Sequence, residues 1–520
     1  MAKKWMIVLA AFAAAGTAAA AQPAAHARIT VDFSEELGSI KPMHAVNNGP
    51  LLPNFGGGQV RGNFEDFRSA RIPLVRTHDS IGCVPGGEHT CDINAIFPDF
   101  DADETDPANY DFVFTDHYLD TIHRAGSEIF FRLGQTIEHG PKKYGILPPK
   151  DFAKWARICE HIVRHYNEGW GWGNDKSRWV KDVVWSNQFN IVYWEIWNEP
   201  DLCAHRTDPN ALPVQYPCTW GGTANEFYRL YETTAKHLKE KFPSLKIGGP
   251  ALSGGNKVWN EGFLKHCKQT SAPLDFFSWH SYTFDPARVA ASCRSYRKLL
   301  DDNGFTQTES ILNEWNYVRG WQSDWRYTLD VESGRFNQKG AAYLLSVMIE
   351  CQSLPVDMLM FYDARATRLT MNNLFSHPNL LPMKGYYPFY LWSNLVEYGT
   401  QVPCKIVEGR GMKTFGENGV APGSEMGKPV GSFRAVAAKN ADGSGALAVA
   451  RYSEDDNVSE VALVTLDLPG VDFSRLRCHL TDSVRTYTEF RLEKNADGTA
   501  LLRLQPNSFA FVEWEGKRTK

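Results

Sequence analysis

Between about residues 40 and 400 this chain alternates short apolar runs with amphipathic helical stretches, and that alternation limits its fold more than any other feature. The runs are Ile40–Val46, Leu74–Asp79, Glu128–Leu133, Tyr193–Glu199, Lys246–Ala251, Asp275–Tyr282, Ser310–Asn316 and Met358–Asp363. Between them lie helical patterns such as "FTDHYLDTIHRAG", "DFAKWARICEHIVRHY" and "EFYRLYETTAKHLKEK", with Gly or Pro at the joins. Strands that alternate with helices pair in parallel, because parallel neighbours need a crossover. Eight such units predict a closed (β/α)8 barrel, an α/β fold, over residues 38–398. An open doubly wound sheet is the alternative, and no G-x-G-x-x-G follows the first strand to favour it.

Beyond residue 399 the pattern changes. "SFRAVAAKNADGSGALAVARYS", "VALVTLDL", "RCHLTDSV", "ALLRLQ" and "SFAFVEWE" alternate in the manner of strands between turn residues. Residues 399–520 therefore read as a small antiparallel β-sandwich. "RITVDF", within 28–37, precedes the barrel and is placed as an extra strand of that sandwich. Residues 1–27 read as a secretory signal peptide: Lys3 and Lys4, an apolar run, then small residues with cleavage after Ala21 or Ala27. The expected location is outside the cytoplasm, periplasmic or secreted, with no membrane association once the leader is removed. The alternative is a membrane anchor.

The formal net charge of -5 is a weak acidic excess, which argues against nucleic acid or an anionic membrane as partner. Export permits disulfides, and Cys83–Cys91 and Cys203–Cys218 are spaced as local staples. Cys159, Cys267, Cys293 and Cys351 fall within helical patterns and read as buried thiols. No cysteine spacing resembles a zinc site.

In a barrel of this kind, chemistry gathers at the C-terminal ends of the strands. Here those ends read "HAVNNGP", "RTHD", "FFRLGQTIEH", "WNEP", "SWHSY", "LNEWNY" and "YDAR". Glu199 closes strand four and Glu314 closes strand seven, so they face each other across the mouth. Glycosidic bond cleavage needs two carboxyl groups, one protonated and one ionised. Apolar neighbours such as Trp197 are expected to raise Glu199 and fit it for the acid. Tyr282 is positioned to orient the Glu314 carboxylate, and Asn198 to bond a sugar hydroxyl. A metal site would want several converging histidines; His78-Asp79 alone does not supply them, and no cofactor is expected. Arg76 and Arg132 are expected to pair with barrel carboxylates. Glu138 and His139 are further candidates for the pocket wall. Trp170 and Trp172 read as packed, with a platform beside the cleft as the alternative.

The set "GSIKPMHAVNNGP", "VRTHD", "FFRLGQTIEH", "YWEIWNEPDL", "KIGGPAL", "FFSWHSY" and "ILNEWNY" resembles glycoside hydrolase family 39, which includes β-xylosidases and α-L-iduronidases. The resemblance extends over about residues 38 to 320. It implies a metal-free retaining hydrolase. Glu199 would be the acid/base and Glu314 the nucleophile. His78, Asp79, Asn198, His280, Tyr282 and Tyr317 would line the sugar pocket. Strand eight, "MFYDARATRL", departs from the Trp- and Ser-Asp-containing strand of the xylosidases. The expected function is an exo-acting, β-xylosidase-like enzyme on oligo- or polysaccharide. The alternatives are another glycone (α-L-arabinofuranosyl or α-L-iduronidase-like), endo action, or a non-catalytic carbohydrate-binding protein. The oligomeric state stays open.

Overall fold

The computed structural model describes residues 26–54, 58–78, 89–134, 147–172, 189–202, 219–320, 331–365, 371, 373–408 and 433–516. Eight parallel strands close on themselves: β1 (Ala45–Asn47), β2 (Leu74–Arg76), β3 (Glu128–Leu133), β4 (Tyr193–Ile196), β5 (Lys246–Leu252), β6 (Phe276–Thr283), β7 (Glu309–Tyr317) and β8 (Met358–Phe361). A helix follows each in turn: α1 (Phe64–Ser69), α2 (Val113–Arg124), α3 (Phe152–Glu168), α4 (Ala224–Lys241), α5 (Phe263–Thr270), α6 (Pro286–Asp302), α7 (Gln338–Gln352) and α8 (Tyr387–Tyr398). The expected barrel is the observed one.

Local sequence sets the helix ends. Asp151 caps α3 by accepting from the N–H groups of Ala153 and Lys154, and Gly169 ends it at φ 77°, a conformation that favours glycine. Thr223 and Glu226 form a reciprocal capping box at the start of α4. Asp285 caps α6 just ahead of Pro286. The lower barrel interior is a layer of Ala45, Leu74, Phe130, Phe276, Ile311 and Met360. Above it the inward positions turn polar, and that change of layer is where the site begins.

One irregularity decides which way the key residues of β7 point. Trp279 of β6 pairs with Leu312, but the next residue, His280, pairs with Glu314. On the other side, Leu359 of β8 pairs with Leu312, while Phe361, two residues on, pairs with Trp315. Strand β7 therefore carries one extra residue, a β-bulge, and both Asn313 and Glu314 face inward.

The later strands are β9 (Thr400–Val402), β10 (Cys404–Glu408), β11 (Phe433–Lys439), β12 (Gly445–Arg451), β13 (Ala462–Asp467), β14 (Leu476–Thr481), β15 (Ala500–Leu504) and β16 (Ser508–Trp514). They form two sheets around a second core that includes Ile29, Val31, Leu447, Val464, Leu502 and Val512. The strand His26–Val31 joins this unit, antiparallel to β10 and parallel to β13. Among the described residues, no helix is long and apolar enough to cross a membrane. Residues 1–25, which hold the leader expected from the sequence, lie outside the described residues, as do Cys83, Cys203 and Cys218 of the expected disulfides. Cys159, Cys267, Cys293 and Cys351 are buried free thiols.

Trp170 settles against Tyr110 and His161, with ring centroids 5.2 and 4.4 Å away. It follows the C-terminus of α3, at the end of the barrel opposite the strand C-termini. It is a packing residue, and the alternative of a platform at the cleft does not hold for it.

Candidate active site

Arg76, at the end of β2, is fully buried on the barrel axis and organises the site. Its Nε donates to Glu195 Oε2 at 2.7 Å, Nη1 to Asn47 Oδ1 at 3.0 Å and to Glu314 Oε1 at 2.8 Å, and Nη2 to Asn198 Oδ1 at 2.7 Å. Glu195 Oε1 accepts from Ser278 Oγ and Asn313 Nδ2, each at 2.6 Å. A buried charge is tolerated only when paired and hydrogen-bonded, and this layer meets both conditions. Arg132 similarly pairs with Asp92 at 2.7 Å. Both arginines take the ion-pairing role expected of them.

Glu199 reaches the site through an unusual turn of chain. Trp197 and Glu199 both adopt left-handed backbone angles, φ 79° and 45°, which are costly for residues with a Cβ. The surroundings hold them there. Trp197 N–H donates to Leu133 O at 2.6 Å and Glu199 N–H to Ala251 O at 2.8 Å, while Thr219 Oγ1 donates to Glu199 O at 2.5 Å. Gly134 leaves the necessary space, because a Cβ there would sit 2.9 Å from Trp197 Cα. The Trp197 ring packs near Trp155 and Trp220 in the helix layer. Glu199 is buried, as the sequence led us to expect.

The two carboxylates meet. One oxygen each of Glu199 and Glu314 and a ring nitrogen of His280 all lie within 4.8 Å of one another. His280 Nδ1 is 2.7 Å from Glu199 Oε1 and 3.4 Å from Glu314 Oε2. Tyr282 Oη donates to Glu314 Oε2 at 2.6 Å. His78 Nε2 lies 3.2 Å from Glu314 Oε1. Asn198 keeps an amide nitrogen without a partner among the described residues.

Their environments split the pair. Burial, with Glu314 and Asp201 nearby, pushes Glu199 well above the ordinary carboxylate range. Burial would raise Glu314 too. The His280 and His78 rings and the fixed charge of Arg76 overturn that and hold it below the ordinary range. Burial drives His280 down to about 4, so at neutral pH its ring is uncharged. The permanent charge beside Glu314 is then the guanidinium of Arg76. Glu199, His280 and Glu314 are also the three groups that offer ligand atoms to a cation. Arg76 already occupies one side of Glu314, and its charge repels a metal ion there.

The eight residues singled out from sequence fall as follows. Glu199, Glu314, Asn198, His280 and Tyr282 converge. His78 joins them from β2. Asp79 lies outside the described residues, as do Glu138 and His139. Tyr317 does not line the pocket. Beyond the bulge the strand alternates, so Glu314 faces in and Tyr317 faces out. Its ring lies 5.4 Å from Tyr343 of α7, and its Oη lies 3.5 Å from Glu454 of the β-sandwich. Sequence reasoning missed Tyr362, whose ring sits 5.2 Å from His78 and 6.5 Å from Tyr282 and whose Oη accepts from Arg365 at 2.9 Å. Its signal was an aromatic residue at the end of strand eight. It also missed Asn47 and Asp201. Asp201 accepts from the N–H groups of Ser253 and Gly255 at 2.8 and 3.0 Å and so ties the β4 end to the β5 loop.

The model of glycosyl hydrolases family 39 matches residues 65–356, more than half of the chain. The chain belongs to that family. A β-xylosidase of Geobacillus stearothermophilus is 28% identical over 219 residues, 40% of this chain and 37% of the relative. A β-xylosidase of Caldicellulosiruptor saccharolyticus is 26% identical over 192 residues, 35% of this chain and 33% of the relative. The chain thus spans about a third of the length of the curated relatives it matches. The solved structure of a glucosidase from Croceicoccus marinus superposes with a TM-score of 0.68 at 21% identity, covering 94% of this chain and 99% of that one. At that identity the likeness is one of fold.

Proposed function

We propose that this family 39 member is a retaining glycoside hydrolase working by double displacement, with Glu314 as nucleophile and Glu199 as acid/base. The observation that carries the reading is the approach of the two carboxylates to within 4.8 Å in environments of opposite effect. Retaining enzymes hold these groups about 5–5.5 Å apart, and inverting ones about 6.5–9.5 Å, to admit a water. In the first step a Glu314 oxygen bonds to the anomeric carbon as the bond to the leaving oxygen breaks, and Glu199 gives that oxygen its proton. In the second, Glu199 takes a proton from water, the hydroxyl bonds to the anomeric carbon and Glu314 leaves. Tyr282 Oη steadies the ionised nucleophile, and the amide of Asn198 is offered to a sugar hydroxyl.

The glycone is read as a β-xyloside cleaved from a chain end. The β-xylosidase relatives support the sugar; a pocket closed by the long connections after β2, β3 and β4 would favour the chain end, and an open groove internal cleavage. The chain is read as exported, on the strength of its first 27 residues. Turnover of an aryl β-xyloside, set against the matching β-glucoside, α-L-arabinofuranoside and α-L-iduronide, tests the glycone. Glu314→Ala tests the reaction: activity is lost, and azide restores it with a glycosyl azide of inverted configuration. Full activity in that variant would end the assignment.

A further inference from the structure

A groove runs along the flank of the barrel, where α8 packs against the β-sandwich. It consists of two adjoining cavities of about 690 and 460 Å³, which share Tyr398, Arg477 and Glu513 in their walls. Both volumes fall in the range of small-ligand pockets, which favour domain junctions. Tyr398 is the last residue of α8, and that helix runs away from the strand-end rim. The groove is therefore separate from the catalytic mouth.

Its walls are aromatic and amphoteric. Tyr390, Tyr398 and Tyr487 supply rings, and Asn394 an amide. Arg477 is exposed and lies directly across the β14–β16 pair from Glu513. Among the described residues its guanidinium makes no hydrogen bond or ion pair. Glu513 accepts from Tyr398 Oη at 3.3 Å. The Nδ1 of the half-buried His479 faces Glu513 Oε2 at 4.0 Å. Tyr487 adopts a left-handed backbone, φ 45°. Its ring is clamped between His479 at 4.5 Å and Tyr387 at 4.8 Å, nearly parallel to both. A tyrosine held in a sparsely populated conformation by flanking rings is a feature that clusters at ligand sites.

This chemistry selects among ligands. An anionic ligand would meet Glu513, Glu397 and Asp442; a purely apolar one would leave the exposed Arg477 unmatched. A neutral sugar chain offers apolar C–H faces to the rings of Tyr390 and Tyr398, with Tyr487 fixed beneath them by its stacking partners, and hydroxyls, which both donate and accept, to Arg477 and Glu513. We propose that the groove is a second carbohydrate-binding site, taking a stretch of neutral polysaccharide away from the catalytic mouth. This rests on the reading of the protein as a glycosidase.

The test is affinity electrophoresis of the full chain carrying Glu314→Gln, in gels containing soluble arabinoxylan or, for comparison, anionic polygalacturonate. Arabinoxylan is expected to retard the parent and polygalacturonate to leave it unretarded. Arg477→Ala and Tyr398→Ala, added singly, are expected to weaken retardation at least fivefold. The same two substitutions in the otherwise native chain are expected to leave kcat/KM on a small aryl glycoside within twofold. Arg477→Ala removes an exposed side chain and keeps the fold; near-UV circular dichroism checks Tyr398→Ala. A parent that arabinoxylan does not retard, or groove variants retarded as strongly as the parent, would overturn the proposal. Retardation is read without turnover, so absence of glycosidase activity in the native chain would count against the catalytic reading and not against the groove.

Discussion

Replacing Arg76 by Met tests the electrostatic core of the site. The side chain is fully buried, and its guanidinium lies between the carboxylates of Glu195 and Glu314. Removing it leaves two buried carboxylates without their counter-charge, a loss of about 3–5 kcal/mol at neutral pH. The sign with pH is the sharper result. In the native chain Glu314 is held below its ordinary value, so it contributes stability above about pH 4.5, the ordinary value, that fades as pH falls toward the folded one. In Arg76→Met that contribution is gone, and the carboxyls bury at least cost when protonated. The stability gap between native and variant should therefore be widest near pH 7 and narrow toward pH 4. Urea denaturation followed by tryptophan fluorescence at several pH values measures it. Arg76→Lys keeps a charge but loses the fork, and should fall between the two. A gap that stays constant or widens in acid would refute the reasoning.

The pH profile of kcat/KM is expected to be bell-shaped, with an acid limb from Glu314 below the ordinary carboxylate range and a basic limb from Glu199 above it. Glu199→Gln should remove the basic limb, and a profile unchanged in that variant would assign the acid elsewhere. Tyr282→Phe deletes the 2.6 Å hydrogen bond to the nucleophile. A bond to a charged group is worth about 1.5–3 kcal/mol, so kcat/KM should fall about 13- to 160-fold, as read with an aryl glycoside. Lys339→Met removes a buried ammonium that donates to Glu454 O and Asp456 Oδ1, each at 2.7 Å, across the barrel–sandwich junction. Denaturation should show a loss of about 1–3 kcal/mol with little change in KM.

Much of this was legible before any coordinates, because the period of apolar residues and the Gly/Pro joins carry strand–helix alternation directly. The convergence of Glu199 and Glu314 followed from their strand-end positions alone. The facing of individual side chains did not follow, for a local reason. The extra residue in β7 turns both Asn313 and Glu314 inward, and nothing in "ILNEWNY" marks it. Tyr317 was misplaced because its facing depends on the count from that bulge. The left-handed turns at Trp197 and Glu199 were equally silent. They depend on the space above Gly134 and on Thr219, both distant in sequence. Tyr362 escaped because its role is set by contact with His78, on a strand far away in the chain.

The two layers of the barrel interior make the case for function better than any one residue. The lower layer, from Ala45 to Met360, is apolar and packs as a core should. Immediately above it, Asn47, Arg76, Glu195, Ser278 and Asn313 are buried and joined by hydrogen bonds. For stability alone, a second apolar layer of similar volume would serve as well or better, since replacing a buried ion-pair network by packed hydrophobic residues is often neutral or stabilising by about 1–4 kcal/mol. What such a layer cannot do is keep Glu314 ionised beside a Glu199 that holds its proton. An aliphatic replacement of Arg76, Glu195 and Asn313 together should therefore lose less stability than Arg76→Met alone, since only Glu314 is then left without a counter-charge, and should fold without turnover. The same triple variant retaining the native kcat would mean that the polar layer is there for some reason other than the charge on Glu314.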